Sequence, residues 1–183
     1  MSDDFEEIDN YGMPRFSWDY EDLSEAEQWF LMARAYLDCS KQLISQMTKE
    51  EFESSFYHAK AVVALFNHAL ELFLKGGIIQ VNKPIANTHN LQELYNQFRN
   101  LYPGKNFEFE GDIVNAVRST TVTPYNQYAR YPTDLGGQTW QTYTHIELVT
   151  WYKQIRRFAR DFERLEPLLK QRYHQKLDSS DTT

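Results

Sequence analysis

Apolar and polar positions alternate along this chain at helical spacing, and each periodic stretch carries its own punctuation. In the first stretch Phe30, Ala33, Leu37, Ser40, Ile44 and Met47 recur at intervals of three and four, which places them on one helical face. Ser24 and Glu27 precede it as a capping box, each side chain satisfying an orphan backbone amide of the other. Thr48 and Glu51 repeat that pattern. They predict a second helix after a very short turn, antiparallel to the first.

The second helix is the most apolar part of the chain. Ala59, Val62, Phe66, Ala69 and Phe73 line one face, and Val63, Leu70 and Leu74 line the adjacent one. A stripe this wide predicts a helix buried on two sides. It is expected to end near Gly76-Gly77 or one turn later, because two interior glycines cost about 2 kcal/mol of helix propensity, and Pro84 marks a break nearby. Asn90-Leu91-Gln92-Glu93 opens a shorter third helix through Leu94 and Phe98, stopped by Pro103-Gly104. Another short helix is expected within residues 109–120, through Ile113, Val114 and Val117. Thr121 to Gly137 has no period and reads as an ordered loop.

The last helix is expected from about Thr142 toward Tyr173. Leu148, Ile155, Phe162 and Leu169 recur there every seven residues, with Tyr152, Ala159 and Leu165 or Glu166 between them. Pro167 is expected to kink this helix or end its regular part. The pattern predicts an all-α fold, an antiparallel up-and-down bundle of four to five helices over residues 23–175. Residues 1–22 form an acidic N-terminal arm in this reading, and residues 176–183 a polar tail.

With 183 residues, 42% of them apolar and 15% aromatic, the chain has enough material for one packed core. Its single cysteine, Cys39, excludes an internal disulfide and a cysteine-only metal site. The acidic N-terminus does not resemble a signal peptide, and no run approaches the roughly 18 apolar residues of a membrane span. A cytoplasmic location away from any membrane is the expectation. The net charge of −7 is uneven: residues 1–27 hold ten carboxylates against Arg15 alone. Such a segment reads as a solvated arm, or as one that covers a basic surface on the body, a dimer mate or a partner, with Trp18 and Tyr20 as anchors.

Three short motifs occur in order between residues 56 and 132. They are His68-Ala69-Leu70-Glu71-Leu72-Phe73-Leu74-Lys75-Gly76, then Thr88-His89-Asn90-Leu91, then Tyr128-Ala129-Arg130-Tyr131-Pro132. With them the chain resembles the HEPN family of small prokaryotic helical bundles, in the branch that carries an Arg-Tyr-Pro signature. It departs from the branch at His68, where Gln is usual, at Asn90, where Asp is usual, and in a longer loop before the last helix. The resemblance implies a homodimer, association with a nucleotidyltransferase partner in a toxin–antitoxin-like arrangement, and binding of a nucleotide or RNA. Trp140, Tyr143 and Trp151 are candidates for the exposed dimer patch.

Glu71 and Lys75 stand one turn apart and can pair, and the resemblance places His89 and Arg130 near them. Two readings follow. In one, Glu71, Lys75 and His89 form a polar network that locks the bundle. In the other, Lys75 and Arg130 hold phosphate, Tyr131 stacks on a base, and Arg118 and His89 add contacts.

Many HEPN proteins are metal-independent ribonucleases with an Arg, four to six residues, then a His. None of the five histidines, His58, His68, His89, His145 and His174, has an Arg at that spacing. Arg118 is followed at the longest spacing by Tyr125, whose pKa of about 10 makes it a poor base. No catalytic residue is therefore assigned. The enzymatic alternative is a divergent ribonuclease pairing Arg118 or Arg130 with Tyr125 or His145 across a dimer, and a purely structural interaction protein is the other.

His68 and Glu71 lack the repeated Glu-x-x-His pattern of a carboxylate-bundle metal site, and no Gly-rich phosphate loop, nucleophile elbow or zinc-protease motif occurs. Neither metal nor cofactor is expected. Arg156, Arg157, Arg160 and Arg164 make a basic stripe in which Arg156, Arg160 and Arg164 share one face. It reads as a solvated face partly neutralised by Asp161 and Glu163, or as a contact for RNA phosphates or an acidic surface.

Overall fold

The computed structural model describes residues 23–49, 56–122 and 147–180, and within them the protein is all-helical. The elements are α1 (Glu25–Thr48), α2 (Phe56–Gln80), α3 (Leu91–Leu101), a 3-10 turn (Lys105–Phe107), α4 (Ile113–Val122) and α5 (Leu148–Ser180). They pack as an all-α bundle in which α1 and α5 lie against the central α2, and α3 joins α2 to α4.

The capping box at the start of α1 forms, with Glu27 N–H on the Ser24 hydroxyl at 3.3 Å and Ser24 N–H on Glu27 Oε2 at 3.0 Å. All six expected core positions of α1 are buried. Ser40 is tolerated among them because its hydroxyl donates to the Val62 carbonyl of α2 at 3.0 Å. Thr48 is the last residue of α1, and its hydroxyl donates back to the Ser45 carbonyl at 3.0 Å. Glu51 lies outside the described residues.

Both expected faces of α2 are buried. The helix runs through Gly76-Gly77 and ends a turn later at Gln80. Packing explains why: a Cβ on Gly76 would stand 2.9 Å from the Phe30 ring, and one on Gly77 would stand 2.6 Å from the Phe98 ring. The two glycines let aromatic rings of α1 and α3 lie directly on the backbone of α2, and that contact offsets their poor propensity. Contrary to the expectation from apolar runs, Tyr57–Gln80 is long and apolar enough to cross a membrane, yet 78% of its most apolar window is buried inside the protein. Packing against α1, α3 and α5 already requires that composition.

Asn90 caps α3, its side-chain oxygen accepting from Gln92 and Glu93 N–H. Along α5, Ile155, Phe162 and Leu169 are buried in the core, and the Phe162 ring stacks on Phe73 at 4.0 Å between centroids. Pro167 lies inside α5 and does not end it. Pro167 and Glu163 are both exposed, so the carbonyl that loses its helical bond faces water. The helix continues to Ser180, into the stretch expected as a polar tail. Glu27 to Lys170 at 3.1 Å and Arg34 to Glu166 at 2.6 Å join the start of α1 to the far end of α5, which makes these helices antiparallel.

Candidate functional site

Glu71 occupies the most enclosed part of α2 and is 3% exposed. An ionised carboxylate there needs compensating partners. Lys75, one turn on, donates its ammonium to Oε1 at 2.8 Å. His89, in the turn that enters α3, places Nδ1 at 2.8 Å from the same oxygen. His68 stands farther away, with Nδ1 at 3.9 Å from Oε2. That separation is too long for a hydrogen bond, so His68 is an electrostatic neighbour and not a donor. Burial pushes the Glu71 carboxyl up, but its partners outweigh burial and hold it at about 2. His68, Lys75 and His89 together carry that effect, the last two at bonding distance.

An ionised carboxylate only accepts, so Nδ1 of His89 carries its proton toward Glu71; Nε2 then keeps a lone pair in the neutral ring and is a second donor in the imidazolium. The His89 side chain is 72% exposed.

Alongside lies a pocket of about 500 Å³ between α1, α2 and the turn into α3, walled by Trp29, Met32 and Leu72 and bordered by His68, Glu71, Lys75 and His89. The Lys75 ammonium also stands 5.8 Å from the Trp29 ring centroid. Glu25 adds a second carboxylate to the lining. Two carboxylates against one committed ammonium make the pocket unfavourable for a phosphate, which would have to compete with Glu71 for Lys75. Lys75 stands in the polar network with Glu71 and His89.

The same ammonium opposes a metal ion at His68 and Glu71, and no cluster of three or more His, Cys, Asp or Glu side chains suited to a metal ion occurs among the described residues. Trp29 is the residue that sequence reasoning missed. It sits beside the core position Phe30, and nothing in the spacing marks it as a pocket wall.

A second buried carboxylate, Asp161 of α5, is 0% exposed. Its oxygens accept from the backbone N–H groups of Glu110 at 2.9 Å and Gly111 at 2.8 Å. Arg164 donates to Asp161 Oδ1 at 2.8 Å and to the carbonyls of Asn106 and Glu108 at 3.0 and 2.6 Å. Both residues hold the 105–111 segment against α5. Arg164 is therefore not a free member of the basic stripe, and Asp161 neutralises it as expected. Arg156, Arg157 and Arg160 remain exposed.

Arg118 falls in α4, and its side chain lies outside the described part. Arg130, Tyr131, Tyr125, His145, Trp140 and Tyr143 lie outside the described residues. Trp151 is half-buried, packed on the core with its ring edge-on to Phe66 at 5.5 Å, so it does not supply an exposed dimer patch. It also lines a smaller cavity of about 290 Å³ with Phe66 and Phe158, bordered by Asp112 and Gln154, where no cation or imidazole stands. Cys39 is a free, exposed thiol. No family model, curated protein or solved structure matches this chain.

Proposed function

We propose that the protein is a non-catalytic, HEPN-like up-and-down bundle that works by binding, and that its Trp29 pocket receives the base of a nucleotide or of RNA. The observation that carries this reading is the 2.8 Å contact between buried Glu71 and exposed His89. It orients the imidazole beside an aromatic wall, with Nε2 an acceptor in the neutral ring. A flat heterocycle can stack on Trp29 and donate an N–H to His89 Nε2. The carboxylates of the lining turn its phosphate outward to solvent.

Binding is favoured over cleavage at this site because Glu71, held at about 2 and bonded to Lys75, is too weak a base and has no proton to donate at neutral pH. The HEPN-like arrangement is supported by the quoted motifs, two of which meet where His89 reaches Glu71. A homodimer, a nucleotidyltransferase partner and a cytoplasmic setting belong to the same proposal and rest on the resemblance alone.

The test is a thermal-shift series with nucleosides and their monophosphates. A ligand at 100 times its Kd adds about 2.7 kcal/mol of stability. Nucleosides and monophosphates are expected to give equal shifts that vanish in Trp29→Ala and in His89→Ala. A shift that requires the phosphate, or one that survives in both folded variants, would overturn the reading.

A further inference from the structure

On the side of α1 away from the Glu71 pocket, a groove of about 350 Å³ runs between α1 and α5. Lys41, Gln42, Ser45, Gln46 and Lys49 of α1 line it, with Tyr152 of α5 across from them and Asp38 at one end. The Arg156 guanidinium stands 5.6 Å from the Tyr152 ring centroid. Lys153, Arg156 and Arg160 share one side of α5 and are exposed, while Arg157 points about 100° away from Arg156. At 1.5 Å per residue, Lys153 to Arg160 spans about 10 Å and Lys41 to Lys49 about 12 Å. Lys41 and Lys49 line the groove on α1, and Arg156 reaches it on the antiparallel α5 through Tyr152.

Arg34, Lys75, Arg164 and Lys170 each hold a carboxylate within 4 Å, whereas Lys41, Lys49, Lys153, Arg156 and Arg160 hold none among the described residues. Asp38 in the groove and Glu163, three residues beyond Arg160, leave an excess of positive charge. The groove lining is ammonium, amide, hydroxyl and one aromatic ring, with no exposed aliphatic side chain. A protein interface would be expected to bury apolar anchors at its centre. Cation rows that follow a backbone beside an aromatic ring instead match recognition of single strands.

We infer that the α1–α5 face is a docking surface for single-stranded nucleic acid, RNA or DNA. Its lysines and arginines contact phosphates, and the Tyr152–Arg156 pair offers a plane on which a base stacks. This surface stands independently of the Trp29 pocket and does not require it.

The experiment is fluorescence anisotropy of the full chain with labelled 20-nucleotide single strands of RNA and of DNA, at 50 to 200 mM salt. Three or four phosphate contacts predict a slope of log K against log salt of about −2 to −3. Arg156→Glu with Arg160→Glu should weaken binding at least about tenfold and flatten that slope, as loss of those phosphate contacts requires. Lys83→Glu with Lys105→Glu reverses exposed cations elsewhere and should leave Kd unchanged. Equal affinity for RNA and DNA identifies backbone recognition, and preference for RNA adds a contact to the 2′-hydroxyl; either supports the surface. Absence of binding at 50 mM salt overturns it, as does undiminished binding by the folded Arg156→Glu/Arg160→Glu variant. Tighter binding of a polyglutamate peptide than of either strand would also overturn it, in favour of an acidic protein surface.

Discussion

Two carboxylates are carried into the interior of this bundle, Glu71 on α2 and Asp161 on α5, and they are satisfied in different ways. Asp161 accepts from two backbone N–H groups and from Arg164, which in turn holds two backbone carbonyls. Two of its three donors are main-chain amides and the third also holds main-chain carbonyls, so it stitches a loop to a helix. Glu71 accepts only from side chains, and one of them, His89, is mostly exposed beside a pocket. A buried charge tied to backbone fixes the fold. A buried charge tied to a surface imidazole fixes the chemistry of that imidazole.

Removing each centre should separate the two roles. Asp161→Ala strands two buried amides and Arg164, and should cost about 3 to 5 kcal/mol in urea unfolding. A loss below about 1 kcal/mol would end the contrast, because Asp161 would then be dispensable. The next effect concerns acid. Glu71 titrates at about 2 instead of 4.5, so its stabilisation is complete above pH 4.5 and is lost as pH falls toward 2. That contribution is at most about 3 kcal/mol before solvent screening. Glu71→Gln should remove it and flatten the acid limb, leaving the share of Glu27, which its hydrogen bonds to Ser24 also hold at about 2.

The partners give the finer discrimination. Arg164→Ala should cost about 1 to 2 kcal/mol, since three acceptors lose a charged donor at a site that is one-third exposed. His89→Ala should cost less than about 1 kcal/mol, because the ring is mostly exposed and Lys75 stays on the carboxylate. It should nevertheless abolish ligand binding at the Trp29 pocket. Comparable stability losses in Arg164→Ala and His89→Ala, with binding intact in the latter, would make both centres purely structural.

Much of the fold was legible because its signals are local. Ser24 and Asn90 cap the helices that their spacing announces, and the α1 stripe is buried at every expected position, Ser40 included. What escaped depends on contacts distant in sequence. The glycine pair left the end of α2 open between the glycines and one turn later, since propensity counts only the helix itself. The rings of Phe30 and Phe98 that decide the matter come from other helices. Arg164 looked like the third member of a surface row, and the carbonyls that capture it lie 56 and 58 residues earlier. Lys41 and Lys49 carry no mark of their own in the sequence. They meet Tyr152 only because α1 and α5 run antiparallel.

Gly76 links the interior to the pocket more tightly than any charged contact does. A Cβ there would come within 2.9 Å of the Phe30 ring and 3.2 Å of the Trp29 Cβ. Phe30 is a core residue, and Trp29 is the aromatic wall of the pocket. The absent methyl group thus sets one spacing for both, so the two cannot be adjusted separately. Any change that widens or narrows the recognition pocket through α1 must also repack the centre of the bundle, and the breadth of what the pocket admits is bounded by the stability of the fold.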